Sequence, residues 1–248
     1  MANEPRTALV TGGMGGLGEA IARVLHDAGH TVLVTHSRSD EDAAIWLRKE
    51  AEAGYTFHSY DVDVSDYGAC QYMAERIRDD GHLVDILVNN AGITRDATFR
   101  KLSKDNWDAV LRVNLDSMFN VTKLFIDDML SRGWGRILNI SSINGNKGQF
   151  GQTNYSAAKA GIHGFTKALA QEVARKGITV NTVSPGYLAT QMVMAMPEDV
   201  RKQIEAGIPV GRLGRPDEIA ALVGFICSEQ AAFMTGSNVS MNGGQHMY

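Results

Sequence analysis

Cysteine is scarce in this chain: Cys70 and Cys227 are the only two among 248 residues, both in segments with helical patterning and without metal-ligand spacing. Two isolated thiols argue for a reducing compartment. A large excess of charge of either sign is also lacking. A net charge of −4 gives no general reason to expect nucleic acid or a membrane surface. The first six residues hold no apolar signal region, and no apolar run reaches membrane-spanning length. These absences predict a cytoplasmic protein with no metal, nucleic-acid or membrane partner. No Pro/Gly/Ser-rich linker or repeat divides the chain either, so one domain over 1–248 is expected. With 44% apolar residues, that domain has ample material for a core.

What is present alternates regularly. Short apolar runs predict strands over 7–11, 31–35, 56–60, 84–88, 136–140, 179–183 and 238–241. Between them, helical patterning follows the first glycines and recurs over 45–53, 67–78 and 104–130. Strands alternating with helices of this length predict an α/β fold, a doubly wound parallel sheet with helices on both faces. The break Ser184-Pro185-Gly186 is expected to end the 179–183 strand.

Between the first strand and its helix lies Gly12-Gly-Met-Gly-Gly-Leu-Gly18. Bare backbone lets a phosphate approach, and the free N–H groups of a helix start point at the anion. Two spacings fit. Gly13, Gly15 and Gly18 read as G-x-G-x-x-G, whereas Gly12, Gly16 and Gly18 after Thr11 read as T-G-x-x-x-G-x-G. Either predicts dinucleotide binding in a strand-turn-helix context. A cofactor with a free ribose 2′-hydroxyl wants a carboxylate at the end of the second strand. This chain has His36-Ser37-Arg38-Ser39 there, and the acids begin only at Asp40. A hydroxyl and a guanidinium suit a 2′-phosphate, which favours NADP(H). The alternative is that Asp40 or Glu41 folds back onto the ribose.

Tyr155 and Lys159 stand four apart in an Ala-rich run that favours helix, so they share a face. A lysine ammonium beside a phenol favours phenolate and predicts a lowered tyrosine pKa, suited to exchanging a proton with a substrate oxygen. Ser142, at the end of the 136–140 strand, is placed to hold the same oxygen. Taken alone, Tyr-x-x-x-Lys is more often a surface pair on an ordinary helix.

In order and spacing, Thr11-Gly12-x-x-x-Gly16-x-Gly18, Asn89-Asn90-Ala91-Gly92, Asn114, Ser142, Tyr155-x-x-x-Lys159 and Pro185-Gly186 together resemble the classical short-chain dehydrogenase/reductase family over essentially the whole length. The resemblance implies a Rossmann-type fold and a catalytic tetrad of Asn114, Ser142, Tyr155 and Lys159. In it, Tyr155 is the acid in reduction and Ser142 polarises the carbonyl. Lys159 holds the nicotinamide ribose and depresses the tyrosine pKa, while Asn114 anchors a water behind the lysine. For the cofactor it implies Gly12, Gly16, Leu17 and Gly18, then Ser37 and Arg38, then Asp63 and Val64 at the adenine. Asn90, Ala91 and Gly92 follow along the middle of the cofactor, with Pro185 and Gly186 as further cofactor residues and Thr190 near the carboxamide. Thr190 reads equally as the N-cap of the next helix.

Within the family, the stretch Gly145-Asn-Lys-Gly-Gln149-Phe150-Gly-Gln152-Thr-Asn-Tyr155 and the tail Ser240-Met-Asn-Gly-Gly-Gln-His-Met247 look like the acetoacetyl-CoA reductase group, which supplies 3-hydroxybutyryl units for polyhydroxyalkanoate. The 3-oxoacyl-(acyl carrier protein) reductases are the alternative. That likeness implies NADPH, an acyl-CoA thioester substrate and an (R)-3-hydroxyacyl product. It also implies a pocket of Asp96, Ser142, Gln149, Phe150, Gln152 and Tyr187, a mobile lid over 187–209 and a homotetramer. Arg95, Arg100, Lys101 and Lys104 are candidates for an anionic carrier at the site mouth, with Arg132, Arg175 and Lys176 as a second basic patch. A non-catalytic cofactor-binding regulator is the remaining class, but such a protein is expected to lose Tyr155 or Lys159.

Overall fold

The structure is a computed structural model describing residues 5–37 and 39–247. In chain order, β1 (Thr7–Val10) leads through the glycine turn into α1 (Gly16–Asp27). Then come β2 (Thr31–His36), α2 (Asp40–Glu52), β3 (Phe57–Asp61), α3 (Tyr67–Asp79) and β4 (Ile86–Asn89). The second half runs α4 (Lys104–Leu111), α5 (Ser117–Arg132), β5 (Gly135–Ile140), α6 (Ile143–Lys147), α7 (Thr153–Val173) and β6 (Ile178–Pro185). The remaining elements are α8 (Gln191–Met194), α9 (Glu198–Ala206), α10 (Pro216–Cys227) and β7 (Asn238–Met241).

The seven strands form one sheet in the order β3-β2-β1-β4-β5-β6-β7, with every pairing parallel. Successive side chains on a strand point to opposite faces, and the core divides accordingly. Ala8, Val10, Val32, Val34, Ile86, Val88, Leu138 and Ile140 pack with α1, α2 and α10. Leu9, Leu33, Leu87, Ile137 and Val180, which alternate with them, pack with α3, α5 and α7. Because both faces are covered, the strands read as continuous apolar runs. The order reverses between β1 and β4, and open parallel sheets bind ligands outside the carboxyl ends at such a switch point. Val10 pairs with Val34 on one side and Val88 on the other, so the glycine turn leaves the sheet at that crevice.

Two expectations are corrected. The helix expected over 104–130 is interrupted by a π-helical turn, Arg112–Asp116, between α4 and α5. β6 does not break at Ser184 but runs through Pro185, because β7 supplies a partner: Pro185 pairs with Met241, and the Gly186 N–H donates to the Met241 carbonyl at 3.0 Å. As the last strand residue, proline's missing N–H costs the ladder little. Among the described residues no helix is long and apolar enough to cross a membrane.

Candidate active site

The floor of the site is made where β5 meets α7. Past Ile140 the chain turns through Ser141 and Ser142, and Ser142 caps α6 by accepting from the Asn144 N–H at 3.1 Å. The helix α7 then brings Tyr155 and Lys159 back over that strand end. Lys159 is 3% exposed and donates from Nζ to the Ile140 carbonyl at 2.7 Å. The Ser141 hydroxyl donates to the Lys159 carbonyl at 2.8 Å, so strand and helix are stitched in both directions. Behind Tyr155, the fully buried Asn154 accepts from the Tyr155 N–H at 2.8 Å and donates to the Arg95 carbonyl at 3.1 Å.

Burial governs the protonation of this floor. With its ammonium taken out of water, Lys159 is lowered to about 8. The Tyr155 phenol moves up, not down: burial raises it, a hydrogen bond with the Ser142 side chain pulls it back, and electrostatic interaction with Asp96 and Tyr187 adds to the rise. The lowering expected from the i, i+4 lysine is therefore corrected. The Lys159 ammonium is directed at the Ile140 carbonyl and lies 5.7 Å from the centre of the Tyr155 ring. Ser142 is the group that opposes the rise.

Asn114 is fully buried within the π-helical turn, not facing solvent. Its Nδ2 donates to the Ile93 carbonyl at 2.9 Å, and its Oδ1 accepts from the Ile93 N–H at 2.8 Å. The wider turn is a recurrent device at functional sites. Here it directs an amide at the segment after β4. A Cβ on Gly92 would lie 3.2 Å from Asn114 Oδ1 and 3.6 Å from Lys159 Nζ, so Gly92 separates amide and ammonium by little more than its own backbone.

At the switch point a cavity of about 550 Å³ is lined by Gly12, Gly16, Leu17, Ser37, Asp63, Val64, Asn90, Ala91, Gly92 and Thr190, among others. Of the two glycine spacings, the conformation selects the second, because Gly12 and Gly16 have φ of +62° and +53°. Gly18 does not line the cavity. A Cβ there would stand 2.3 Å from the Gly12 carbonyl, so its glycine serves close packing of α1 on the turn. The Thr11 hydroxyl accepts from the N–H groups of Asn90 and Ala91 at 2.9 and 3.0 Å, locking the β4 loop to the turn. An extended, glycine-walled cleft ending at a helix start fits a dinucleotide. Among the described residues at the end of β2, Thr35, His36 and Ser37 line the cleft. The first acids, Asp40, Glu41 and Asp42, sit in the first turn of α2, where Ser39 caps the helix. Arg38 lies outside the described residues.

Sharing Leu17, Asn90, Gly92, Ile93 and Thr190 with that cleft, a second cavity of about 310 Å³ opens over the floor. Asp96, Ser142, Gln152, Tyr155, Lys159, Pro185, Gly186 and Tyr187 all line it. Thr190 occupies the N-cap position of α8 but makes no side-chain capping bond. Gln149 and Phe150 are not in the lining, a correction to the expected pocket. Gln149 Oε1 accepts from Lys147 Nζ at 2.9 Å, and Phe150 is 87% exposed, because the loop turns outward before Gln152. Of the basic candidates, Lys104 pairs with Asp108 and Arg132 with Asp85.

Sequence reasoning missed Asn144. It is 6% exposed, lines the same cavity, and donates to Gln152 Oε1 at 2.9 Å, while Gln152 donates to Asp96 Oδ2 at 2.7 Å. A carboxylate only accepts, so Asp96 fixes the orientation of both amides and leaves Asn144 Oδ1 without a partner. The Ser-x-Asn spacing after β5 was the available signal. Ser141 and Asn154 were missed as well; the Lys159 and Arg95 carbonyls they bond are distant in sequence.

Comparison with known proteins agrees with this architecture. Residues 6–201 match the short chain dehydrogenase family. An acetoacetyl-CoA reductase of Cupriavidus necator is 53% identical over 242 residues, covering 98% of each chain. The nodulation protein G of Azospirillum brasilense is 54% identical over 239 residues, covering 96% of this chain and 97% of that one. A 3-oxoacyl-[acyl-carrier-protein] reductase of Vibrio harveyi is 41% identical over 244 residues, covering 98% of each. The chain belongs to the short chain dehydrogenase family, oxidoreductases that work with a nicotinamide cofactor.

Proposed function

We propose that the protein is an NADPH-dependent reductase of acetoacetyl-CoA, giving the (R)-3-hydroxybutyryl thioester used as a polyhydroxybutyrate precursor. The carrying observation is that Ser142, Tyr155 and buried Lys159 line one cavity, continuous with the dinucleotide cleft. The bound nicotinamide supplies the hydride. The protein's part is to hold the ketone and manage one proton. Ser142 and Tyr155 present hydroxyls to the ketone oxygen, and Tyr155 gives its proton to the oxygen that becomes the alcohol. Lys159, charged below about pH 8, stabilises the tyrosinate left behind and holds the ribose. Asn114, fixed on Ile93, stands beside it as the anchor of a water that returns the proton.

About 310 Å³ is near the lower end for ligand pockets (roughly 300–1,000 Å³), which suits a short acyl group whose carrier stays outside. Asp96, Gln152 and Tyr187 meet the acyl group. Residues 187–209 form the lid. CoA is favoured over the carrier protein because relatives named for acetoacetyl-CoA reach 53% identity, against 41% for the carrier-protein reductase. NADPH is favoured by Ser37 and Arg38 at the end of β2, ahead of the first acids. A homotetramer in the cytoplasm completes the proposal, and native mass spectrometry reading four chains tests its assembly.

The deciding experiment compares kcat/KM for acetoacetyl-CoA and acetoacetyl-carrier protein with NADPH. A preference for CoA is expected, and a preference for the carrier protein overturns the substrate. Arg38→Ala is expected to weaken NADPH binding far more than NADH binding. Equal losses defeat the 2′-phosphate assignment.

A further inference from the structure

One turn beyond Lys159 on α7 sits His163. Its Nε2 lies 3.0 Å from Ser141 Oγ on the end of β5 and 3.4 Å from Ser184 Oγ on β6. A count of hydrogens decides which of these atoms donates. Ser141 gives its one hydroxyl proton to the Lys159 carbonyl at 2.8 Å, and Ser184 gives its own to Asn238 Oδ1 at 2.7 Å. Both serines have only lone pairs left for the imidazole, so Nε2 carries the hydrogen and shares it between them. Burial keeps the ring neutral, with Lys167, one further turn along α7, acting in the same direction. The other side chains hydrogen-bonded to the ring or lining the cavity beside it, Ser141, Ser184, Asn146 and Asn238, are uncharged. Neutral imidazole has a single hydrogen, so the tautomer is fixed by the two serines.

Ser141 joins this network to the floor. Ser141 precedes Ser142 in the chain, and the carbonyl it holds belongs to Lys159, whose ammonium holds Ile140 in turn. We propose that His163 is a positioning residue for the proton-transfer pair. Its one N–H clamps the ends of β5 and β6 to α7 and so keeps the Ser142 hydroxyl in register with the Tyr155 phenol. This inference rests on the reading of Ser142 and Tyr155 as that pair, but not on which ketone they serve.

The test therefore includes a readout that needs no substrate. Tyrosine labelled with 13C at Cζ reports the Tyr155 titration by NMR in the wild type, His163→Leu, His163→Gln, Ser142→Ala and the His163→Leu/Ser142→Ala pair. Leucine fills the ring's space without a donor, whereas the Gln Nε2 retraces the path of the His Nε2 and still donates. Since the Ser142 hydrogen bond lowers the phenol, loosening it in His163→Leu raises the Tyr155 pKa by about half a unit or more. His163→Gln returns it to the wild-type position, and His163→Leu adds nothing once Ser142 is alanine. In turnover with acetoacetyl-CoA and NADPH, His163→Leu lowers kcat about tenfold with KM within about twofold, and His163→Gln recovers most of it. An unmoved titration in His163→Leu overturns the proposal, as does a shift that adds to that of Ser142→Ala or a Gln variant no better than Leu. If the wild type fails to turn over acetoacetyl-CoA while the titration behaves as stated, the substrate assignment falls and the clamp stands.

Discussion

On the floor of the catalytic cavity, Lys159, Ser141, Asn154 and Asn114 are nearly or fully buried, and each makes hydrogen bonds to backbone from another part of the chain. Across the same cavity, residues 187–209 are carried by α8, only four residues long, and by α9, whose N-cap makes no side-chain bond. Apart from Leu188, which joins the main core, the buried apolar side chains there, Val193 and Ile208, form a satellite cluster with Leu213. The floor is therefore held by the cooperative unit of the sheet, while the roof beyond Leu188 rests mainly on a small cluster of its own, as expected of the proposed lid. The proposed proton transfer thus lies on the firmly held side, and the proposed entry of the acyl group on the more lightly packed one.

The sharpest way to break this contrast is at its most buried charge. Lys159→Met is expected to lower kcat by about a hundredfold or more while stabilising the fold, measured by steady-state kinetics and urea unfolding. The sign follows from the pKa values. Lys159 is at about 8 in the folded chain and near 10.5 when unfolded, so the folded state binds fewer protons between those values. This group's contribution to stability thus rises with pH from about 8 to 10.5, and below 8 the buried ammonium is a constant cost. Removing it at pH 7 yields a gain on the order of 1–3 kcal/mol, after allowing for the hydrogen bond to Ile140. The gain fades as pH approaches 10.5.

A smaller effect separates floor and roof directly. Ile137→Ala in β5 is expected to cost about 2–4 kcal/mol in global unfolding, with KM little changed. Ile208→Ala in the roof cluster is expected to cost about 1 kcal/mol globally and to raise KM for the thioester several-fold. Similar global losses with no difference in KM would erase the distinction. Smaller again is the pH response of the wild type. On the proposed mechanism, with protonated Tyr155 beside charged Lys159, kcat/KM is expected to be level below about pH 8 and to fall above it. A profile still level at pH 9.5 would remove Lys159 from the proton step.

Much of this was legible in the residues. Alternating apolar runs reported the strands because both sheet faces are covered, and the glycine cluster reported the turn because only bare backbone fits between α1 and β4. The π-helical turn at Asn114 was not legible: Arg112-Val-Asn-Leu-Asp116 has ordinary helical composition, and its reason, the backbone of Ile93, lies 21 residues away. The direction of the Tyr155 pKa was misread for a related cause. Helical spacing correctly put Lys159 on the same face, but could not say that its ammonium would find the Ile140 carbonyl. Gln149 and Phe150 were placed in the pocket by resemblance, whereas the outward turn of their loop depends on packing that no local pattern encodes.

The central claim is that the floor supplies one proton from Tyr155 to a short 3-oxoacyl thioester. Its most direct test is kcat for acetoacetyl-CoA reduction by Tyr155→Phe with NADPH, alongside its melting temperature and NADPH affinity. The account predicts a loss of about a thousandfold in kcat, with the fold intact and NADPH still bound. Turnover within a few-fold of wild type would contradict it.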